Sequence, residues 1–215
     1  MEFLSSAPLG EGFVQARCIL SQQVEPDATL PDPGLYLREN AGMWGIPQDE
    51  ALIGLLTAVS HKDLQVLTVA ECGVTVTTLA TVGVEHGSSP LEKRISSYGE
   101  AREHSERPVI RAGTNNLVTL VDADLSPGAL VRASTIATEA KTLALSEAGL
   151  KTRQGHITTG TPTDVTVLGH SGRGLQFQYA GSATLVGWMV GHTNYYGVKQ
   201  GLAAYNRRKQ RQANT

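Results

Sequence analysis

Several familiar chemical devices are missing from this sequence. It has no Gly-x-Ser-x-Gly elbow, no His-Glu-x-x-His helix and no Gly-x-x-x-x-Gly-Lys-Ser/Thr phosphate loop. The six histidines, at 61, 86, 104, 156, 170 and 192, show no ligand spacing, so a metal is not indicated. Cysteine is scarce: Cys18 and Cys72 stand in separate apolar runs with no Cys-x-x-Cys pattern. Reduced, buried thiols are therefore expected, with a reactive Cys72 beside Glu71 as the alternative. There is no excess of charge of either sign. A formal net charge of -2 and a pI near 6.3 give no sign of a nucleic-acid binder. No apolar run is long and glycine-poor enough to span a membrane, and the first residues lack the charged-then-apolar pattern of a signal peptide. The cytoplasm is the expected compartment. No internal repeat is visible.

What is present suits a packed domain. The chain has 215 residues, 40% hydrophobic and 18% charged, enough to form a core and too apolar for wholesale disorder. The expected organisation is one domain over residues 1–206 followed by a basic tail, 207–215, carrying Arg207, Arg208, Lys209 and Arg211. The expected fold class is mixed α/β: a mixed sheet with hairpins, packed by at least two helices.

The centre of the chain is Gly113–Asp164. A Gly-Thr-Asn-Asn loop precedes an apolar strand, Leu117–Val121. A helix follows from Ser126 to about Leu150. Ser126 can cap it, Pro127 suits its first position, and Gly149 suits the place just past its end. Ala129, Ala133, Ile136, Ala140, Leu143 and Ala144 form its apolar stripe. At about 100° per residue, Glu139 and Lys141 fall on opposite flanks of that stripe, so they do not pair with each other. The loop Thr158–Asp164, rich in hydroxyls, then opens the strand Val165–Leu168. Two polar loops thus bracket one strand–helix–strand unit, a natural place for recognition or chemistry.

Other elements read less distinctly. Phe13–Leu20 alternates as a strand. Residues 25–47, punctuated by proline and glycine, read as a surface excursion with one helical turn at Leu35–Asn40. Pro47-Gln48-Asp49-Glu50 reads as the start of a helix over Ala51–Val59. Leu64–Ala70 and Val74–Val84 read as a hairpin about Glu71-Cys72-Gly73. Residues 86–107, with mixed charges, read as a solvated surface loop. Val165–Leu168 and Leu175–Tyr179 suggest a second hairpin. Ser182 is placed to cap a final helix running to about Tyr205, with Gly187, Gly191, Gly197 and Gly201 on one side and a core histidine, His192.

Spacing alone leaves the function open. A set of short motifs in order carries a resemblance. They are Leu4-Ser5-Ser6-Ala7-Pro8 with Gly12, Gly73-Val74-Thr75-Val76 with Ala80-Thr81-Val82-Gly83, and Gly113-Thr114 with Asn116. Thr138-Glu139-Ala140-Lys141 with Ala144-Leu145 follows, then Thr159-Gly160-Thr161 with Thr163-Asp164, and Tyr179-Ala180-Gly181. The chain resembles the adenosylcobinamide amidohydrolase (CbiZ) family over nearly its whole length. The family tends to show Gly-Thr-Gly-Thr-Asp where Pro162 interrupts this sequence, and an apolar residue where Asn115 stands. Residues 92–107 have no counterpart in that pattern.

The resemblance implies hydrolysis of the amide joining aminopropanol to the corrin ring of adenosylcobinamide, giving adenosylcobyric acid for corrinoid salvage. The cobalt corrinoid enters as substrate, with no separate cofactor, nucleic acid or membrane. A homo-oligomer is compatible with the sequence. Amide hydrolysis needs a nucleophile, a base and donors for the oxyanion. Asp164 or Glu139 is the expected base for an attacking water, with Lys141 or backbone N–H groups near Thr161–Thr163 facing the oxyanion. Ser5, Ser6, Gly113, Thr114, Asn115, Asn116, Gly160, Thr161 and Thr163 are the candidate substrate-binding residues. A nucleophilic Thr161, Thr163, Ser5 or Ser6 is the rival, with His86 able to approach in space. A corrinoid carrier without catalysis is the alternative from another class, and a general peptide-like amidohydrolase is a third.

Overall fold

A computed structural model describes residues 1–26, 28, 30–85, 87–92 and 114–213. The Gly113 candidate, His86 and most of the charged 86–107 segment lie outside the described residues.

The central unit forms as the sequence implies. Strand β7 (Asn116–Asp122), helix α2 (Pro127–Glu147) and strand β9 (Val165–His170) make a parallel crossover, with Asn116 opposite Val165 and Val121 opposite His170. Ser126 Oγ accepts from the Ala129 N–H at 3.1 Å at the helix start, and Gly149, at φ +67°, follows its end. The two strands are central in a six-stranded mixed sheet. Its other members are β1 (Glu2–Ser5), β2 (Gly12–Gln15), β5 (Gln65–Glu71) and β6 (Val74–Thr81), in the order β2-β1-β9-β7-β6-β5.

The β5–β6 hairpin closes through Cys72 and Gly73, both at positive φ, which matches the twist of its strands. That turn leaves Cys72 exposed, and Cys18 is half-buried, so neither thiol is buried as expected.

Among the expected strands and helices, four are corrected. The 51–59 helix is a strand, β4 (Leu52–Thr57), buried at every position. A short continuous apolar run suits either element. Here it is decided by pairing in parallel with β3 (Cys18–Gln23), and the crossover between them carries α1 (Pro33–Met43). Second, α1 is eleven residues long rather than one turn; Asp32 caps it, accepting from Leu35 N–H at 2.9 Å. Third, the Phe13–Leu20 strand divides at Ala16-Arg17. The backbone there changes partner, Ala16 N–H donating to Met1 C=O and Arg17 N–H to Ala51 C=O. Fourth, β9 forms no hairpin with the strand after it, because β1 and β7 already occupy both its edges. The chain instead crosses over, and β10 (Gln176–Phe177) pairs in parallel with β8 (Asp124–Leu125).

The final helix, α3 (Leu185–Ala213), is capped by Thr184 rather than Ser182: Thr184 Oγ1 accepts from Gly187 N–H at 3.1 Å. It runs on through the basic stretch, where Lys209 meets Glu85 at 2.9 Å. Helices α2 and α3 cover one face of the sheet, and their glycines admit close backbone approach. A Cβ on Gly187 would lie 2.0 Å from Gly181 C=O, and one on Gly201 would lie 2.7 Å from Val82. Thr78, Thr119, Thr193 and Asn194 form a fully buried polar net between sheet and α3, with Asn194 Nδ2 donating to Thr119 Oγ1 at 2.9 Å. The β3–β4 pair and α1 lie against the other face. His192, expected in the core, is half-buried between Trp188 and Tyr196. No helix among the described residues is long and apolar enough to cross a membrane.

Candidate active site

The parallel pairing of β7 and β9 puts the residues just before them side by side. These are Asn115 and Asp164, and Val165 N–H donates to Asn115 C=O at 3.1 Å. The site therefore lies at the amino ends of two parallel strands, whereas open α/β sheets usually bind ligands at the carboxyl ends. The loop before Asp164 is pinned on two sides. Thr158 N–H donates to Leu150 C=O, and Gly160 C=O accepts from Ser88 N–H at 2.8 Å. The start of the charged segment is thus paired to the site loop rather than solvated.

Asp164 is the hub. Its Oδ1 accepts from Asn115 N–H at 2.9 Å, Asn115 Nδ2 at 3.0 Å and Thr161 Oγ1 at 2.5 Å. Its Oδ2 accepts from Lys141 Nζ at 2.5 Å. Lys141 descends from α2, and the two side chains are 9% and 11% exposed, so the ion pair is nearly dry. Gly160 is required beside it, since a Cβ there would lie 2.4 Å from Asp164 Oδ2 and 3.1 Å from Lys141 Nζ. A cleft of about 570 Å³ opens over this cluster, bounded by Ser88, Pro90, Thr138, Thr142, Thr159 and Pro162. Pro162 and Asp164 also border a second hollow of about 280 Å³, lined by Ser6, Pro8 and Thr114. Among the described residues no group of three His, Cys, Asp or Glu side chains could hold a metal.

Residues 1–210 match the family described as adenosylcobinamide amidohydrolase. This chain belongs to that family. A Methanosarcina mazei protein named "Adenosylcobinamide amidohydrolase" is 32% identical over 206 residues, covering 92% of this chain and 88% of its own. No solved structure matches.

In this member of the amidohydrolase family the candidates divide. Asp164, Lys141, Asn115, Thr161 and Gly160 come together. Thr114 and Thr163 lie beside them, their hydroxyls 2.8 Å apart. Ser6 borders the smaller hollow, but its hydroxyl is engaged with the Thr166 backbone, accepting its N–H at 3.0 Å. Ser5 Oγ is buried and accepts from Ala7 N–H. Asn116 points to the opposite face of the sheet and donates to Leu56 C=O at 2.8 Å. Glu139 is set apart from the cluster. It binds Arg132 at 3.0 Å, its side chain is half exposed, and it faces a groove between α2 and α3 beside Trp188 and His192. Ser88, Pro90, Thr138 and Thr142 were not among the candidate site residues, although Thr138 stood in the matched Thr138-Glu139-Ala140-Lys141 motif. Thr138 lies three residues before Lys141 on its helix face, and Thr142 one turn after Thr138.

Proposed function

We propose that this chain hydrolyses the amide joining aminopropanol to the corrin ring of adenosylcobinamide, releasing adenosylcobyric acid for corrinoid salvage. The Lys141–Asp164–Thr161 cluster carries the reaction. The supporting observation is the hydrogen bond from the Thr161 hydroxyl to a fully engaged Asp164 carboxylate. Asn115 and Lys141 already occupy the other lone-pair directions of that carboxylate. A water could reach it only by displacing a donor, so the proton Asp164 is placed to take is that of Thr161. This favours the hydroxyl nucleophile over the attacking water.

In this scheme Thr161 Oγ attacks the amide carbon and its proton passes to Asp164. The Lys141 ammonium faces the oxyanion. Collapse breaks the C–N bond, and the proton returns to the departing amine, which leaves as aminopropanol. Water then attacks the threonyl ester, giving one proton to Asp164, which passes it to Thr161 Oγ as the ester bond breaks; the corrin carboxylic acid departs and ionises in solvent. Glu139 takes no part. A broad ring with carboxamides on its rim suits a cleft with many hydroxyl and amide partners, and the two adjoining hollows supply Thr, Ser and backbone groups.

The test is incubation of the purified protein with adenosylcobinamide and assay of cobyric acid and free aminopropanol. Thr161→Val and Asp164→Asn should each lower turnover at least about a hundred-fold, while Glu139→Gln leaves it near wild type. Acid quenching should trap a corrinoid ester on the intact protein. Full turnover by folded Thr161→Val would sink the nucleophile assignment. Tight corrinoid binding without product would favour the carrier.

A further inference from the structure

On the sheet face away from Lys141 a cavity of about 250 Å³ lies between β6–β7 and the β3–β4 pair. Ile19, Leu55, Leu79, Val118 and Leu120 make its walls. Four polar side chains stand among them: Ser21 and His61, and the deeply buried Thr81 and Asn116, 3% and 4% exposed. Thr81 and Asn116 are direct partners across the β6–β7 ladder, so their side chains stand beside each other on one face. Asn116 Nδ2 is committed to Leu56 C=O, which fixes the amide orientation and turns its oxygen elsewhere. Asn116 Oδ1 and Thr81 Oγ1 are both buried with no hydrogen-bond partner among the described residues. Buried polar atoms are normally satisfied, and leaving one unpaired costs about 1–3 kcal/mol in general. Two orphans side by side in an apolar hollow therefore point to a ligand.

The orphans define its chemistry. Asn116 Oδ1 can only accept, and Thr81 can donate. That pair complements a primary carboxamide, whose NH2 donates and whose carbonyl accepts. Among the described residues no Asp, Glu, Lys or Arg lines the cavity, and the His61 ring that borders it is engaged with Ser21 Oγ at 3.1 Å. The occupant is accordingly neutral.

We infer that this cavity binds a primary carboxamide on a short aliphatic stem. Resting on the proposed function, the occupant is one of the amide arms on the corrin rim. Asn116 follows Asn115 in the chain, so the pocket and the reacting cluster flank one strand end.

The probe is propionamide, titrated into the full chain and followed by backbone NMR. Saturable shifts at Thr81, Asn116 and Leu120 are expected, in the roughly millimolar range of so small a ligand. Thr81→Val keeps the shape, breaks no hydrogen bond within the protein, and should weaken binding about five-fold. Ile19→Phe should fill the cavity and abolish it. Propionate and N,N-dimethylpropionamide should not compete. Absence of saturable shifts, equal binding by Thr81→Val, or equal binding of propionate would overturn the pocket. Kinetics then test the corrinoid assignment: Thr81→Val should raise KM for adenosylcobinamide with kcat unchanged, and an unmoved KM overturns that assignment. If the wild type binds propionamide but releases no aminopropanol, the amidohydrolase reading fails and the pocket stands.

Discussion

Replacing Lys141 by methionine tests the site most directly. Methionine keeps much of the side-chain length and deletes the charge. At 2.5 Å the ion pair's attraction is roughly 6–7 kcal/mol for an effective dielectric near 20. Desolvation of two side chains so little exposed returns much of that gain. Removing one partner from such a pair typically costs about 3–5 kcal/mol, because the other charge is left buried. Asp164 retains three neutral donor contacts, from Asn115 N–H, Asn115 Nδ2 and Thr161 Oγ1, which places Lys141→Met at the lower end, about 3 kcal/mol. For a chain of this size that lowers Tm by about 6–12 °C. Asp164→Asn should cost more, since the lysine loses its carboxylate while buried. Thermal unfolding by circular dichroism, with and without Lys141→Met/Asp164→Asn, reads the pair. The double variant should recover much of the loss, because no charge is left buried and the amide oxygen still accepts from Asn115 and Thr161. Turnover should be lost in all three variants. An unchanged Tm for Lys141→Met would refute the buried pair, and retained turnover would refute its place at the reacting edge.

Gly160→Ala should lower kcat sharply while costing about 1–3 kcal/mol of stability, because the new methyl presses on both Asp164 and Lys141; steady-state kinetics beside a melt would show whether turnover survives. Asn194→Ala should destabilise by about 3 kcal/mol by stranding the threonine hydroxyls it serves; urea unfolding at unchanged slope is the measure. The Tyr195 hydroxyl, with Lys199 after it, holds the Glu147 carboxyl below its usual 4.5. Its contribution is complete above that value and is lost as pH falls through the lower folded value. Tyr195→Phe should move the Glu147 titration back toward 4.5 and flatten this acid limb; a carboxyl resonance that titrates unchanged contradicts the contact. Cys72 should react with a thiol reagent much faster than Cys18, given their exposure, and equal rates would count against the hairpin geometry.

Elements with local punctuation were legible in the sequence. Ser126-Pro127 and Gly149 delimit α2, and Glu71-Cys72-Gly73 marks the hairpin turn, which pairing of Glu71 with Val74 narrows to two residues. Elements decided by distant partners were not. Leu52–Thr57 carries no helix or strand period, and only pairing with β3 makes it a strand. The stretch after β9 looks like a returning strand until β1 and β7 are seen on both its edges. The site shows the same division. Asp164 and Lys141 could be named as charges in matched motifs, but their pairing across 23 positions needs the crossover geometry. Glu139 has the same motif credentials and sits on the flank of the helix away from that pair, beside Arg132. Asn115, notable in the sequence as a departure from the family pattern, supplies two of the bonds to Asp164.

Strand β1 has a consequence for how the chain is made. Leu4 pairs with Phe13 on one side and with Leu168 on the other. A ribosome releases the first two strands early, and they can close as a local hairpin. The other edge of β1 must then wait until β9 has been synthesised, many seconds later at about 5–20 residues per second. Until then a bare strand edge is open to mispairing or chaperone capture. The Ser6–Thr166 bonds need both strands, so the walls of the smaller hollow cannot be complete before β9 is present.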